Sequence, residues 1–315
     1  MSALASPLDL DGVAQLAAGG AVVPERLRRG VRLARHTSIR VGGPADLFCE
    51  VESEDELARL VRAARRAGVP VFALGGGTNL VVSDRGIRGL TVKLGRGFAA
   101  TTWRMNGAAT EVIVGAAANL KRLVLDSVAR GLTGLEFAEG IPGTAGGGVL
   151  MNAGAFGGEL GGVVTAIRGV SREGEPTRLP RAELSFAYRR LDLPRDFVVS
   201  GLELALESGD PALIAERIAT AKRKRSRHQP LGFPNAGSIF KNPSGDFAGR
   251  LIEGAGLKGL TVGGAQVSPL HANFIVNLGT ATASDVKELM QQVRDAVWLR
   301  SGVWLEPEVR LVGEW

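Results

Sequence analysis

The hydrophobic pattern changes period several times along the chain, and each change predicts an element. Leu47–Ser53 alternates and reads as a strand. Ser53-Glu54-Asp55-Glu56 has the form of a capping box, and Leu57, Leu60, Val61 and Ala64 then follow at i, i+3, i+4, i+7, so a helix opens there and stops at Gly68. The apolar run Val69–Leu74 reads as a second strand, completing a βαβ unit. Further strand-like pieces are Leu80–Ser83, Leu90–Leu94, Val112–Gly115, Val163–Ser171 and Phe197–Leu206, with a helix over Ala118–Arg130 between them. Asp210-Pro211 opens a polar helix that ends in the basic run Lys222–Arg227. Ser284 is expected to cap a helix to Arg300 with Val286, Leu289, Met290, Val293 and Val297 inward, and Val303–Val312 alternates as a final strand. The resulting plan is α+β to about residue 207, then a smaller α/β part from about residue 210 to 300.

Composition narrows this plan. The chain of 315 residues is 45% hydrophobic and 22% charged, which suits a folded protein of two or three domains. No apolar stretch is long enough to span a bilayer. The first residues lack the basic and apolar blocks of a secretory signal, and Cys49 is the single cysteine, so a reducing cytoplasm is expected. One Cys and three His are too few for an iron–sulfur or Cys-rich zinc site, and no metal is expected. The net charge is +6; of 38 basic residues seven are lysine, so 31 are arginine. Such a surface favours an anionic partner, or the arginine excess reflects genomic composition alone.

Glycine changes the picture most. The 44 glycines are about twice the average usage of roughly 7% and are concentrated in a few short loops, of which two stand out. The first, Gly75-Gly76-Gly77-Thr78-Asn79-Leu80, follows a strand. It is either a turn or an anion nest of unshielded backbone amides. It is neither a Rossmann fingerprint, since Leu80 stands where a third glycine is needed, nor a P-loop, since no Gly-Lys-Ser/Thr follows. The second tract comprises Gly140, Ile141, Pro142, Gly143, Thr144, Gly146 and Gly147, then Asn152, Ala153 and Gly154, with Pro142 expected in the first turn of a helix. It allows a diphosphate or flat ring to lie against backbone, or a helix and strand to pack closely.

These loops, in this order, resemble the flavin-binding domain of the UDP-N-acetylenolpyruvoylglucosamine reductases. Seven segments carry the resemblance: His36–Gly43, Leu74–Leu80, Gly140–Thr144 with Met151–Gly154, Tyr188-Arg189, Asn235–Pro243, His271–Phe274 and Leu305–Arg310. The resemblance implies a vanillyl-alcohol-oxidase/PCMH-type FAD-binding domain of two α/β subdomains with a C-terminal α/β substrate-binding domain. It places the FAD-binding domain at 1–207 (subdomains about 20–83 and 84–207), the substrate-binding domain at 208–302, and a final strand carrying a catalytic glutamate at 303–315. It implies FAD and NADPH as cofactors and a UDP-sugar enolpyruvyl ether as a small-molecule substrate, with no nucleic acid, membrane or obligate protein partner. The glycine loops above would bind FAD. Arg189 matches the family's catalytic arginine, Ser238 its proton donor and Glu308 its catalytic glutamate. Tyr188, Lys241, Asn242, Gln266, Asn273 and Arg310 are the expected substrate contacts. On an alternating strand Glu306, Glu308 and Arg310 would share one face. The only tyrosine is Tyr188, so the chain looks like the shorter subtype, without a lid tyrosine.

Two other readings are compatible with parts of the pattern. One is a sugar or alcohol oxidase on the same fold; the first glycine loop holds no His or Cys to tether a flavin. The other is a nucleic-acid binder using Lys222–Arg227, against which stand the few aromatic residues and the absence of a helix-turn-helix or RNP-like signature.

Overall fold

The computed structural model describes residues 8–18, 26–106 and 109–315; the expected start of the first subdomain, at about residue 20, lies outside them. Seven α-helices and three larger sheets are formed by the described residues.

The first sheet has four strands in the order Arg28–Arg32, Pro44–Val51, Ile87–Leu94, Val71–Leu74, the last three parallel. The βαβ unit read from sequence is present, but Ile87–Leu94 inserts between its two strands. That strand thus belongs to the first sheet, beyond the boundary expected at 83. The intervening helix, Glu54–Arg66, starts where the capping pattern places it: the Ser53 side chain accepts from the Glu56 amide at 3.2 Å. The reciprocal arm goes one residue earlier, since Glu56 accepts from the Glu52 amide at 2.7 Å. Leu57, Leu60 and Val61 are buried against the sheet, each contributing about 1.5–3 kcal/mol.

The second sheet is antiparallel, in the order Pro176–Pro180, Val164–Val170, Val198–Ser208, Ala109–Gly115, Thr101–Asn106, with the short Leu132–Thr133 pairing beside Val198–Ser208. Helices Leu120–Val128 and Ala145–Leu150 contribute Leu120, Leu123, Val124 and Val149 to its core. Pro142 lies ahead of the latter helix rather than in its first turn, and Thr144 is the cap, accepting from the Gly147 amide at 3.3 Å.

Helix Pro211–His228 was expected with the C-terminal part. It packs instead on the segment Glu136–Ala138 and the helix Leu120–Val128. Its Arg217 pairs with the buried Glu136 at 3.3 Å, and Ile218 packs on the second sheet's core. The third sheet follows it: Asn235–Ser238, Phe274–Asn277, Ala265–Val267 and Thr261–Val262, all antiparallel. Helix Ala283–Ser301 covers this sheet, capped by Thr282 in a reciprocal box with Asp285 rather than by Ser284.

Only Arg310–Val312 of the expected final strand is a strand, because its partner, Leu80–Val82, is just as short. Residues 303–309 instead run irregularly past Ile239 and Lys241, with the Glu308 amide donating to Ile239 O at 2.8 Å. Of Glu306, Glu308 and Arg310, Glu308 alone lines the larger cavity described below, while Glu306 pairs with Lys241 and Arg310 is exposed. The C-terminal core also takes in Ile39, Val41 and Val81 from the first part of the chain.

Candidate active site

Two adjoining cavities run between these layers. One of about 270 Å³ lies between the first and second sheets, where Gly75 and Gly76 face Thr144, Gly146 and Gly147, with Glu50, Lys93 and Arg96 at its rim. The other, of about 530 Å³, is lined by Thr78, Asn79, Gly140, Ile141, Pro142, Ala153 and Gly154 together with Arg189, Arg225, Ser238 and Glu308. Gly147 borders both. A Cβ built there would meet only Thr144 Oγ1, at 3.3 Å, and otherwise point into open space. Taken together as a channel, the two cavities share Gly147 and have several glycines in their lining, a chemistry that fits a dinucleotide.

Four of the residues expected at the cofactor shape the channel without lining it. Gly77 holds a left-handed turn, φ 62°, with its Cα against His36 O, which a Cβ would approach to 2.0 Å. Gly143 packs on Thr78, and Leu80 points into the small core with Leu33 and Phe48. Asn152 is fully buried and spends its amide on protein partners.

Arg189 sits at the tip of a hairpin, Ser185–Ala187 with Arg190–Asp192, in the left-handed region at φ 57°. Such a conformation is costly for an arginine and accumulates at functional sites. Its Nε donates to Glu308 Oε1 at 2.8 Å, both side chains being largely buried. Burial pushes the Glu308 carboxyl above its usual range, although Arg189 and Lys241 pull it down. Ser238 ends the strand Asn235–Ser238, held by pairing with Phe274, and faces the same cavity. Three elements distant in sequence thus bring Arg189, Ser238 and Glu308 to one cavity.

Four of the six expected substrate contacts hydrogen-bond or pair with protein groups, and none of the six is among the residues lining the larger cavity. Asn242 caps helix Ala248–Gly254, accepting from the Ala248 amide at 3.1 Å. Gln266 donates to Thr261 Oγ1 at 3.1 Å within a hairpin. Asn273, buried, clamps Phe240 by both its amide and carbonyl, at 3.0 and 2.8 Å. Lys241 pairs with Glu306 at 3.3 Å. Arg310 is exposed beside Leu80. Tyr188 is half exposed beneath the Arg189 guanidinium. His271 accepts from the Asn273 amide and lies tilted against the Phe274 ring.

One cation at this cavity was not singled out from sequence. Arg225 alone of the run Lys222–Arg227 lines the cavity. Its Nε is buried without a hydrogen-bond partner, as is Glu139 Oε2. Burial pushes this guanidinium's pKa down, Glu139 acting the other way. Gly140 makes room for it, since a Cβ there would lie 2.7 Å from Arg225 Cδ. The signal was present as a basic run, but its periodicity does not say which member turns inward.

Residues 45–179 match the model of an FAD-binding domain, and residues 229–312 match that of the UDP-N-acetylenolpyruvoylglucosamine reductase C-terminal domain. Fold and channel together define an FAD-dependent oxidoreductase. Over 291 residues the chain is 49% identical to UDP-N-acetylenolpyruvoylglucosamine reductase 2 of Symbiobacterium thermophilum, covering 92% of this chain and 93% of that protein. It is 48% identical to the reductase of an Anaeromyxobacter species, covering 91% and 88%. The crystal structure of the Thermus caldophilus reductase superposes with a TM-score of 0.79 at 38% identity, covering 91% of this chain and 98% of that one. The chain belongs to the UDP-N-acetylenolpyruvoylglucosamine reductase family. Its cofactor is FAD, with NADPH the reductant the family implies.

Proposed function

We propose that this enzyme reduces UDP-N-acetyl-3-O-(1-carboxyvinyl)glucosamine to UDP-N-acetylmuramate at the expense of NADPH, a step in making peptidoglycan precursors in the cytoplasm. The observation that carries this reading is the convergence of Arg189, Glu308 and Ser238 on the cavity that Gly140–Pro142 and Ala153–Gly154 also line. Gly75, Gly76, Thr144, Gly146 and Gly147 would hold FAD, which when reduced would supply a hydride for the methylene carbon of the enol ether. The π electrons then move toward the carboxylate, and the neighbouring carbon must take a proton.

The protein's part is to hold that charge and deliver that proton. Arg189 keeps free guanidinium N–H groups beyond the Nε bound by Glu308, and these meet the substrate carboxylate as charge builds. Glu308, whose burial favours its protonated form, donates in that form to the same carboxylate. Ser238 gives its hydroxyl proton to C2. A serine is a weak acid, so transfer is coupled to charge already placed on that carbon. Arg225 supplies the cation that an anionic part of the UDP-sugar requires.

Purified protein loaded with FAD should be yellow and should oxidise NADPH quickly only when the enolpyruvyl UDP-sugar is present. NADPH oxidation indifferent to that sugar, or failure to take up FAD, would sink the reading. Arg189→Ala and Ser238→Ala should keep the flavin spectrum and lose turnover by about 100-fold or more.

A further inference from the structure

We propose that Asn152 is a positioning residue for Arg189, fastening the turn that carries the guanidinium to the flavin-facing tract. Asn152 is fully buried and sits in the left-handed region at φ 40°, a conformation Asn tolerates better than most residues. Its Nδ2 donates to Ala187 O at 3.0 Å, immediately before Tyr188-Arg189. Its Oδ1 accepts from the Gly161 amide at 2.9 Å. Its sequence neighbours Met151 and Ala153 line the larger cavity. One side chain thus joins the backbone beside the cofactor channel to the backbone beside the catalytic guanidinium.

The hairpin needs such a tie. It is a separate two-stranded sheet of three residue pairs, and it carries a strained tip. A hairpin of that size has little stability of its own. Its inward anchors are Leu191 and the Phe186 ring, and that ring lies against Gly161, where a Cβ would come within 2.8 Å of it. Asn152 therefore grips both the seat of the hairpin, through Gly161, and its tip, through Ala187. Apolar anchors fix depth but not rotation about the strand; a directional hydrogen bond fixes both. The pose of Arg189 against Glu308 at 2.8 Å follows from that rotation.

The chain's only tyrosine, Tyr188, lies on this turn and reports it without substrate. In protein labelled with fluorotyrosine, the single 19F resonance should shift or broaden in Asn152→Gly and Asn152→Asp while the bound-flavin spectrum stays unchanged. Asn152→Gly keeps the φ value and deletes both arms; Asn152→Asp keeps the Gly161 arm and sets a carboxylate against Ala187 O. In the wild-type holoenzyme the Asn152 side-chain amide protons should exchange slowly, a measurement that stands if neither variant folds. An unmoved 19F line, or rapid exchange of those protons, overturns the proposal.

The kinetic arm rests on the functional reading above. Asn152→Asp should lower kcat by about 10- to 100-fold, and by less than about 2-fold when Arg189 is already lysine, because residues acting as one unit are non-additive. Equal losses in the two backgrounds would mean a merely structural role and overturn it. A wild-type enzyme inert toward the enolpyruvyl sugar would fail the functional reading, while the 19F and exchange results would still decide the proposal.

Discussion

At the residue scale the site rests on a partly buried ion pair whose carboxylate is held back from ionising. Burial raises Glu308 above its ordinary 4.5, with Arg189 opposing, so its proton persists to a higher pH than on an exposed glutamate. If the protonated form works, kcat/KM should fall as pH rises through that raised value. Glu308→Gln keeps a hydrogen-bond donor but cannot titrate, so it should flatten this limb while lowering kcat by about 100-fold; pH–rate profiles of the two proteins check both. That Arg189, Ser238 and Glu308 would meet at one cavity was legible because each sits in a short motif. The roles of Asn242, Asn273 and Gln266 were not, because a polar residue's job depends on what lies within 3 Å of it. Here those neighbours are the Ala248 amide, the Phe240 backbone and Thr261.

At the scale of elements, helix Pro211–His228 matters most, since it carries Arg225 to the cavity. Its seat is Glu136, which accepts from Thr133 Oγ1 and the Gly134 amide at 2.7 Å each and pairs with Arg217. Burial acts to raise the Glu136 pKa, but the Thr133, backbone and Arg217 interactions outweigh it and the net shift is downward. Its contribution to stability is therefore present above the unfolded value near 4.5 and lost as pH falls through the lower folded value. Glu136→Ala should cost about 1–3 kcal/mol at neutral pH, with the difference from wild type shrinking in acid; urea denaturation at two pH values measures this. The helix itself was plain in sequence: Asp210 caps it through the Ala212 amide and Pro211 opens it. Which layer it would join was not, because its apolar face is narrow; Ile214 and Ala221 are its buried residues.

At the scale of the whole molecule, the last strand returns to the strand that follows the first glycine loop. Arg310–Val312 pairs in parallel with Leu80–Val82, and Asp84 reaches across to helix Ala283–Ser301, accepting from the Ala283 and Ser284 amides at 2.9 and 2.8 Å. This second cap fastens the C-terminal layer to the first glycine loop's own strand, so the walls of the channel are held in one frame. Asp84→Ala should cost about 1 kcal/mol and lower the Tm by about 2–4 °C while leaving flavin uptake unchanged; scanning calorimetry of the holoenzyme with its visible spectrum would show it. Among the described residues no helix is long and apolar enough to cross a membrane.

The amino-acid order by itself determined the elements whose signals are local. Periodicity set the helices Glu54–Arg66 and Ala283–Ser301, Asp-Pro opened another, and clustered glycines marked backbone that something approaches closely. It also determined the family, because seven short segments in fixed order need no coordinates. Tertiary structure alone decided that Ile87–Leu94 would enter the first sheet between the two strands of the βαβ unit, and that the final strand would close on Leu80–Val82. It alone turned Arg225 into the cavity and buried Asn152 beneath the turn of Arg189. The reason is range: caps, turns and amphipathic stripes are fixed by residues within a few positions of one another. Strand order and the partner of a buried amide are fixed by contacts across tens or hundreds of residues.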